Sequence, residues 1–339
     1  MMKWLAGAAA LTMTLATTPV SADAVSDFYA GKSLTLVIGS DAGGGYDLAG
    51  RLVAQYLGKH IPGNPSFVPR NMPGASSVRA AEWFGSAAPG GGATISLLQA
   101  TIVTNKLVDR KAAYEPDKFI WIGRLSTAPL FGLVRSDAPI KTVEEAKSKE
   151  VILAANSATG TAATVPWALN RLIQTKFKVV RGYASAAAVG LAIDRGEAEG
   201  IGSASWEYIE SKPEWLAEKK MRLIYFIGLT RYAKTPDVPA VVEFGKTDED
   251  KAVLKLFGVA ATIGRSFAVT PGTPHERAAA LRKAFADMMH DPAFIAEADK
   301  RKVDLDFAPG TEIQSDVAEI TAISDTVVKR YDAVTQPMD

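Results

Sequence analysis

Cysteine is absent from the 339-residue chain. That excludes disulfides, thiol nucleophiles and thiolate metal sites together. Histidine is scarce: His60, His275 and His290 share no metal-ligand spacing, and none lies in a candidate site turn. An excess of either charge is missing too. The 38 Lys and Arg against 37 Asp and Glu leave a formal +1, which argues against broad nucleic-acid binding. No G-x-S-x-G nucleophile elbow occurs. The one Gly-Lys-Ser, Gly31 to Ser33, has Ser26 where a P-loop needs its first glycine, and it precedes a strand instead of following one. After residue 22 no stretch is long and apolar enough to span a bilayer.

Present instead is an ordinary globular composition, 47% hydrophobic and 22% charged, in a chain long enough for two lobes. Residues 1–22 read as a secretory signal. Lys3 supplies the positive start, Trp4 to Thr17 a short apolar middle, and Val20-Ser21-Ala22 a small-residue cleavage site. Loss of Lys3, the only charge there, takes the formal charge from +1 to 0. No cysteine at the cleavage point leaves no lipid anchor. The mature protein is expected to be exported and soluble, which in a bacterium means periplasmic.

The chain is organised around Leu34 to Asp47 and the residues that follow to Lys59. Leu34, Leu36, Val37 and Ile38 form a short apolar run that suits a strand buried on both faces. Gly43, Gly44 and Gly45 permit positive φ and close backbone approach. Leu48, Leu52, Val53, Tyr56 and Leu57 then recur at helical spacing. Backbone amides at such a helix start carry the positive end of the dipole and accept an anion, carboxylate or phosphate. The spacing is not the dinucleotide G-x-G-x-x-G. A plain strand-to-helix connection is the competing reading of the same residues.

The pattern then runs strand, helix, strand, helix, strand through Ser66 to Pro69, Val78 to Phe84 and Ala93 to Ala100, which predicts a parallel sheet with right-handed crossovers. Ser76 or Ser77 is expected to cap the second helix. Ligands of such sheets sit beyond the carboxyl ends of the strands, which puts Asp41 to Asp47 and Ala100-Thr101 at one edge. Phe119 to Arg124 and Leu130 to Arg135 read as strands, and Thr142 with Glu145 as a capped helix start. Val151 to Ala155, a polar turn from Asn156 to Thr164 and a helix through Leu169, Leu172 and Ile173 repeat the organising logic. Ser157, Thr159 and Thr161 serve there as caps, as ligand contacts, or as both. Further on, Lys178 to Gly182, Glu199 to Gly202, Met221 to Leu229, Val259 to Ile263 and Ser266 to Val269 read as strands. Glu276 to His290, Asp291 through Ala298 and Gln314 to Tyr331 read as helices.

With these residues in view, the chain resembles the periplasmic solute-binding receptors of tripartite tricarboxylate transporters, the TctC or Bug family. The likeness lies in Ala42-Gly43-Gly44-Gly45-Tyr46-Asp47 after the first strand, Gly50-Arg51 on the next helical turn, and Asn71-Met72-Pro73-Gly74-Ala75. It continues through Pro236-Asp-Val-Pro239 before Glu243, Pro271-Gly-Thr-Pro274 and Asp291-Pro292. It covers essentially the whole mature chain. Each motif is weak alone; their order and spacing together are specific. The resemblance implies an α/β, two-lobed binding protein, each lobe a mixed, mostly parallel sheet flanked by helices, which closes over a ligand in the cleft. It implies one lobe of residues 23–122 plus 226–339 and a second of 123–225. It implies organic anions as ligands: di- and tricarboxylates, aromatic acids and some amino acids. It also implies that the carboxylate near the first turn is held by backbone and water rather than by an arginine, which agrees with the lack of a basic residue in either turn. Carried over by position, Ala42, Gly43, Gly44, Gly45, Tyr46, Asp47, Thr101, Ser157, Thr159, Gly160, Thr161, Tyr183, Ser203 and Ser205 are expected to face the cleft. Tyr46, Ala184-Ser185 and Trp206 depart from the family pattern.

The reading is therefore of a monomeric receptor, not an enzyme, without metal, cofactor or nucleic-acid partner. It takes a small organic anion and delivers it to integral-membrane transporter subunits. Two rivals are a sensor component serving a membrane kinase and a periplasmic hydrolase using a cleft serine, which lacks a histidine partner. Asp47 is either a helix-capping side chain or a ligand contact, and Tyr46 either stacks on the ligand or packs on its own helix.

Overall fold

The computed structural model describes residues 21–157, 160–183 and 185–338. The signal expected at residues 1–22 lies, apart from Ser21 and Ala22, outside them. In chain order the first part comprises helix α1 (Ser21–Tyr29), strand β1 (Ser33–Ile38), α2 (Gly45–Tyr56), β2 (Ser66–Asn71), α3 (Val78–Ser86), β3 (Thr94–Leu97), α4 (Thr101–Val108) and β4 (Ile120–Arg124). The middle comprises β5 (Leu130–Arg135), β6 (Val151–Ala155), α5 (Thr161–Ile173), β7 (Phe177–Arg181), α6 (Ala186–Asp194), β8 (Gly200–Ser205), α7 (Trp206–Glu210), α8 (Pro213–Ala217) and β9 (Met221–Phe226). The last part comprises α9 (Asp248–Ile263), β10 (Ser266–Val269), α10 (His275–Met289), α11 (Pro292–Lys300), β11 (Ala308–Pro309), α12 (Gly310–Thr321) and α13 (Asp325–Thr335).

Two mixed sheets result, one per lobe. The first runs β11-β4-β10-β3-β1-β2 and the second β7-β6-β8-β5-β9. Each contains a parallel three-strand core with its first strand in the centre: β2-β1-β3 in one, β7-β6-β8 in the other. The remaining strands pair antiparallel. In both cores the chain leaves the central strand to one side and returns to the other, so a topological switch point lies at the carboxyl ends of β1 and β3 and of β6 and β8.

Periodicity explains the layers. Leu34, Leu36 and Ile38 alternate onto one face of the first sheet, packing with Leu52, Val53 and Phe285, while Val37 faces Phe84, Ile102 and Trp121 on the other. Full burial of each such side chain contributes about 1.5–3 kcal/mol. The second sheet likewise packs Leu153 and Ile224 on one side and Phe131, Leu133 and Ile201 on the other.

Helix α9 serves both sheets. Its Val253, Leu254 and Phe257 enter the core of the second sheet, and its Leu256, Val259 and Ile263 enter that of the first. Helix α13 does the same with Val334 and Val328. The chain crosses between the sheets from β4 to β5 and again after β9, so two crossings and two shared helices join the lobes.

Several expectations change. Val259 to Ile263 is the end of α9, not a strand; a helix buried on two sides shows no apolar stripe, and five apolar residues cannot tell strand from helix. Gln314 to Tyr331 is two helices, broken where the Ser324 hydroxyl accepts the Val327 N–H. The Glu145 N–H donates to Thr142 Oγ1, but the Glu145 carboxylate accepts from the Lys141 N–H and not from Thr142, and only one 3₁₀ turn follows, Glu145–Lys147. Ser77 caps nothing: its hydroxyl donates to Gly39 O and accepts from the Gln99 N–H, tying the first turn to the end of β3.

Candidate functional site

The first turn is held from below. The Asp47 carboxylate accepts from the Gly43 N–H at 2.9 Å, from Arg51 Nε at 2.9 and 3.0 Å and from Asn71 Nδ2 at 2.9 Å. Asn71 Nδ2 also donates to Ser40 O, and its Oδ1 accepts from Arg51 Nη2 at 2.8 Å. Three sequence motifs thus meet in one network. Burial alone would raise the Asp47 pKa; bonds from Arg51, the Gly43 amide and Asn71 outweigh it and hold the carboxyl at about 2. Both Asp47 oxygens are committed inside the fold, and Gly44, not Asp47, is the residue preceding α2.

Above this network, Ala42, Gly43, Gly44 and Gly45 are exposed. Gly43 adopts φ +85°, which a side chain disfavours. Gly44 receives no side-chain cap, so the first amides of α2 have no carbonyl within the helix. The Tyr46 hydroxyl donates to Gly264 O at 3.4 Å, tying the start of α2 to the entry of β10. Burial raises its pKa, against the pull of nearby Arg265. Thr101 opens α4 at the same edge, its Oγ1 buried without a hydrogen-bond partner.

The second lobe mirrors the arrangement. Gly160 precedes α5 with no side-chain cap, and Thr161 Oγ1 donates to Ser203 Oγ at 2.9 Å across the switch point between β6 and β8. Ser157 stands at the end of β6, half-buried, as is Tyr183, which packs against the aromatic core of this lobe. Ser205 caps α7 by accepting from the Tyr208 N–H, and its hydroxyl helps to hold the Glu207 carboxyl in its ionised form. Thr159 lies outside the described residues.

What joins the two groups is a residue the sequence reading missed. Arg265 follows Gly264 (φ +53°) and leads into β10 in the first sheet. Its Nη2 lies 3.1 Å from where a Cβ on Gly45 would stand, and its guanidinium carbon lies 5.6 Å from the Tyr46 ring centre. Nη1 donates to Ser126 Oγ at 3.1 Å and Nη2 to Glu207 Oε1 of the second lobe at 2.7 Å. Nε is buried with no partner, although the residue is only 9% exposed. Burial opposes ionisation of Glu207; the adjacent Arg265 charge and its hydrogen bonds outweigh that and keep its carboxyl below the usual range. Neither turn contains a basic residue in its own sequence, but the fold brings Arg265 beside the first one. No local signal marked Arg265, because it sits between two elements and reaches the turn only through the pairing of β10 with β3.

A cavity of about 440 Å³ lies at the junction of the lobes, lined among others by Arg124, Phe226, Tyr232, Lys234 and Asp306. Among the described residues none of the expected site residues lines it, and its Arg124 and Lys234 are paired with Asp306 and Asp304. Arg231, also on its wall, pairs with Glu243, so the charge of this cavity is largely offset.

No family model matches the chain. A relative from Cupriavidus necator, described as the UPF0065 protein in the gbd 5' region, is 27% identical over 305 residues, 85% of this chain and 84% of its own length. A solved TctC solute-binding protein from Polaromonas covers 89% of this chain and 99% of its own, with a TM-score of 0.69 at 24% identity. A protein from R. palustris, solved with adipate, covers 89% and 98% with a TM-score of 0.60 at 20% identity. The chain thus has the fold of the TctC solute-binding proteins, as the resemblance in its sequence implied.

Proposed function

We propose that this protein is a periplasmic solute-binding receptor that captures a small organic carboxylate between its lobes and delivers it to the membrane subunits of a tripartite tricarboxylate-type transporter. The observation that carries the reading is the uncapped start of α2 at Gly44 and Gly45 with the Arg265 guanidinium beside it. A helix start adds about 0.3–2 kcal/mol for an anion, and a charged donor adds about 1.5–3 kcal/mol more. The Gly160 start of α5, with Thr161 and Ser203, supplies a second polar wall from the other lobe. Ala42 to Tyr46, Thr101, Ser157, Thr159, Gly160, Thr161, Tyr183 and Ser203 are the residues that face the ligand in this reading, while the Ser205 hydroxyl is taken by the cap of α7. Asp47 supports them from beneath. The lobes, expected as residues 23–122 plus 226–339 and 123–225, have their limits shifted in this reading to the crossings at 125–129 and after Phe226, which keeps β4 and β9 whole; they close by rotation about those crossings, and the receptor acts as a monomer. The adipate bound by the R. palustris structure belongs to the same ligand class.

Thermal unfolding against a panel of succinate, malate, adipate, citrate and benzoate tests the reading. A ligand at about 100 times its Kd stabilises by about 2.7 kcal/mol, which moves the midpoint measurably upward. A panel in which no acid raises the midpoint overturns it.

A further inference from the structure

Arg265 is buried, its Nε has no partner, and Nη2 meets a single oxygen of Glu207. A guanidinium is built to receive a carboxylate along two parallel N–H bonds. A buried donor left unmatched carries a desolvation cost that a second acceptor would remove. The group stands at the first turn of α2, so an acid lying on it also meets that helix's free amides. Glu207, by contrast, has a side chain one-third exposed, on a five-residue helix of the opposite lobe, steadied by Ser205. It is the one of the two that can move into solvent at little cost.

We propose that Arg265 anchors the carboxylate of the ligand and that Glu207 is its displaceable internal counter-ion, so that binding exchanges one carboxylate for another on the same guanidinium. This rests on the reading of the protein as a carboxylate receptor. Two carboxylates crowded onto one cation disfavour each other's ionised form, so the exchange excludes joint occupancy. Glu207 thereby sets a threshold: an acid binds only when its grip on Arg265 and the α2 amides exceeds that of a tethered rival. Because the rival comes from the facing lobe, the exchange also removes an ion pair that bridges the cleft and leaves the ligand to bridge it instead.

Calorimetric titration of the whole protein with the same acid panel tests this in three forms: wild type, Glu207→Gln and Arg265→Gln. Removing the competitor is expected to tighten the best acid about tenfold in E207Q. R265Q is expected to bind it about 100-fold more weakly. Should R265Q not fold by circular dichroism, Arg265→Lys keeps the charge without the fork and is expected to lose about tenfold. If wild type binds an acid and E207Q binds it equally or more weakly, the exchange is wrong while the receptor reading stands. Unchanged affinity in a folded R265Q or R265K removes the anchor in the same way. An acid bound by E207Q alone supports the exchange in its extreme form. If neither wild type nor E207Q binds any acid, both readings fall.

Discussion

Arg265 Nη2 and Glu207 Oε1 approach to 2.7 Å although one leads into β10 of the first sheet and the other sits on α7, directly after β8 of the second. Behind them α9 and α13 bind the lobes through shared apolar cores; in front, this pair is polar and reversible. An apolar tie resists parting because separation exposes area to water, whereas an ion pair can be traded for another of the same kind. The molecule is therefore fixed at its back and exchangeable at its cleft.

Replacing Gly45 with Ala would put a Cβ 3.1 Å from Arg265 Nη2. The guanidinium must shift, and carboxylate affinity is expected to fall about tenfold. Fold stability should hold, since Gly45 is the first residue of α2 and Ala gains there little of the preference over Gly that it has in a helix interior. Titration and thermal melting of the same preparation separate the two effects.

Asp47 predicts an acid-sensitive stability. Its folded pKa, about 2, lies below the ordinary 3.8, so its contribution is present above about pH 4 and is lost as pH falls through 2. The shift corresponds to about 2 kcal/mol at neutral pH, with about half remaining near pH 3. Urea unfolding of wild type and Asp47→Asn should show that gap at pH 7 and its narrowing at pH 3. A gap that does not change with pH would contradict the network.

Phe257 is 3% exposed on α9 and packs against Tyr331 of α13, with ring centres 4.9 Å apart. Phe257→Ala should cost about 3–5 kcal/mol. Because α9 feeds both cores, urea unfolding should stay a single transition. Two resolved transitions would mean that the lobes unfold independently.

Ser205→Ala removes the cap of α7 and the hydroxyl beside Glu207. Stability should fall by about 1 kcal/mol. Carboxylate affinity should rise about threefold, a smaller change in the same direction as E207Q, since the rival carboxylate is less well held. Calorimetry on the folded variant measures both the direction and the size.

The local grammar was legible where one element determines its own form. Alternating Leu34, Leu36 and Ile38 with Val37 opposite, a three-glycine turn and the helical spacing from Leu48 to Leu57 predict β1, the turn and α2, and the structure has them. Asp291-Pro292 marks the start of α11 because a capping carboxylate and a proline at the first position act within one turn of chain. The same kind of reading failed at Val259 to Ile263 and at Ser77. The side chains in the first are buried on two sides, and the hydroxyl of the second is taken by Gly39 and Gln99 from other elements.

Sequence alone determined that two strand–turn–helix units end in open amides, because helix termini and glycine conformations are set by a few neighbouring residues. It could not place Arg265 on Gly45 or Glu207 on Arg265. Those meetings, across separations of 220 and 58 residues in the chain, depend on how β10 enters the first sheet and on how the two lobes face each other. The charge at the cleft was decided by tertiary packing, since a long cationic side chain acts where its tip is held, not where its backbone lies.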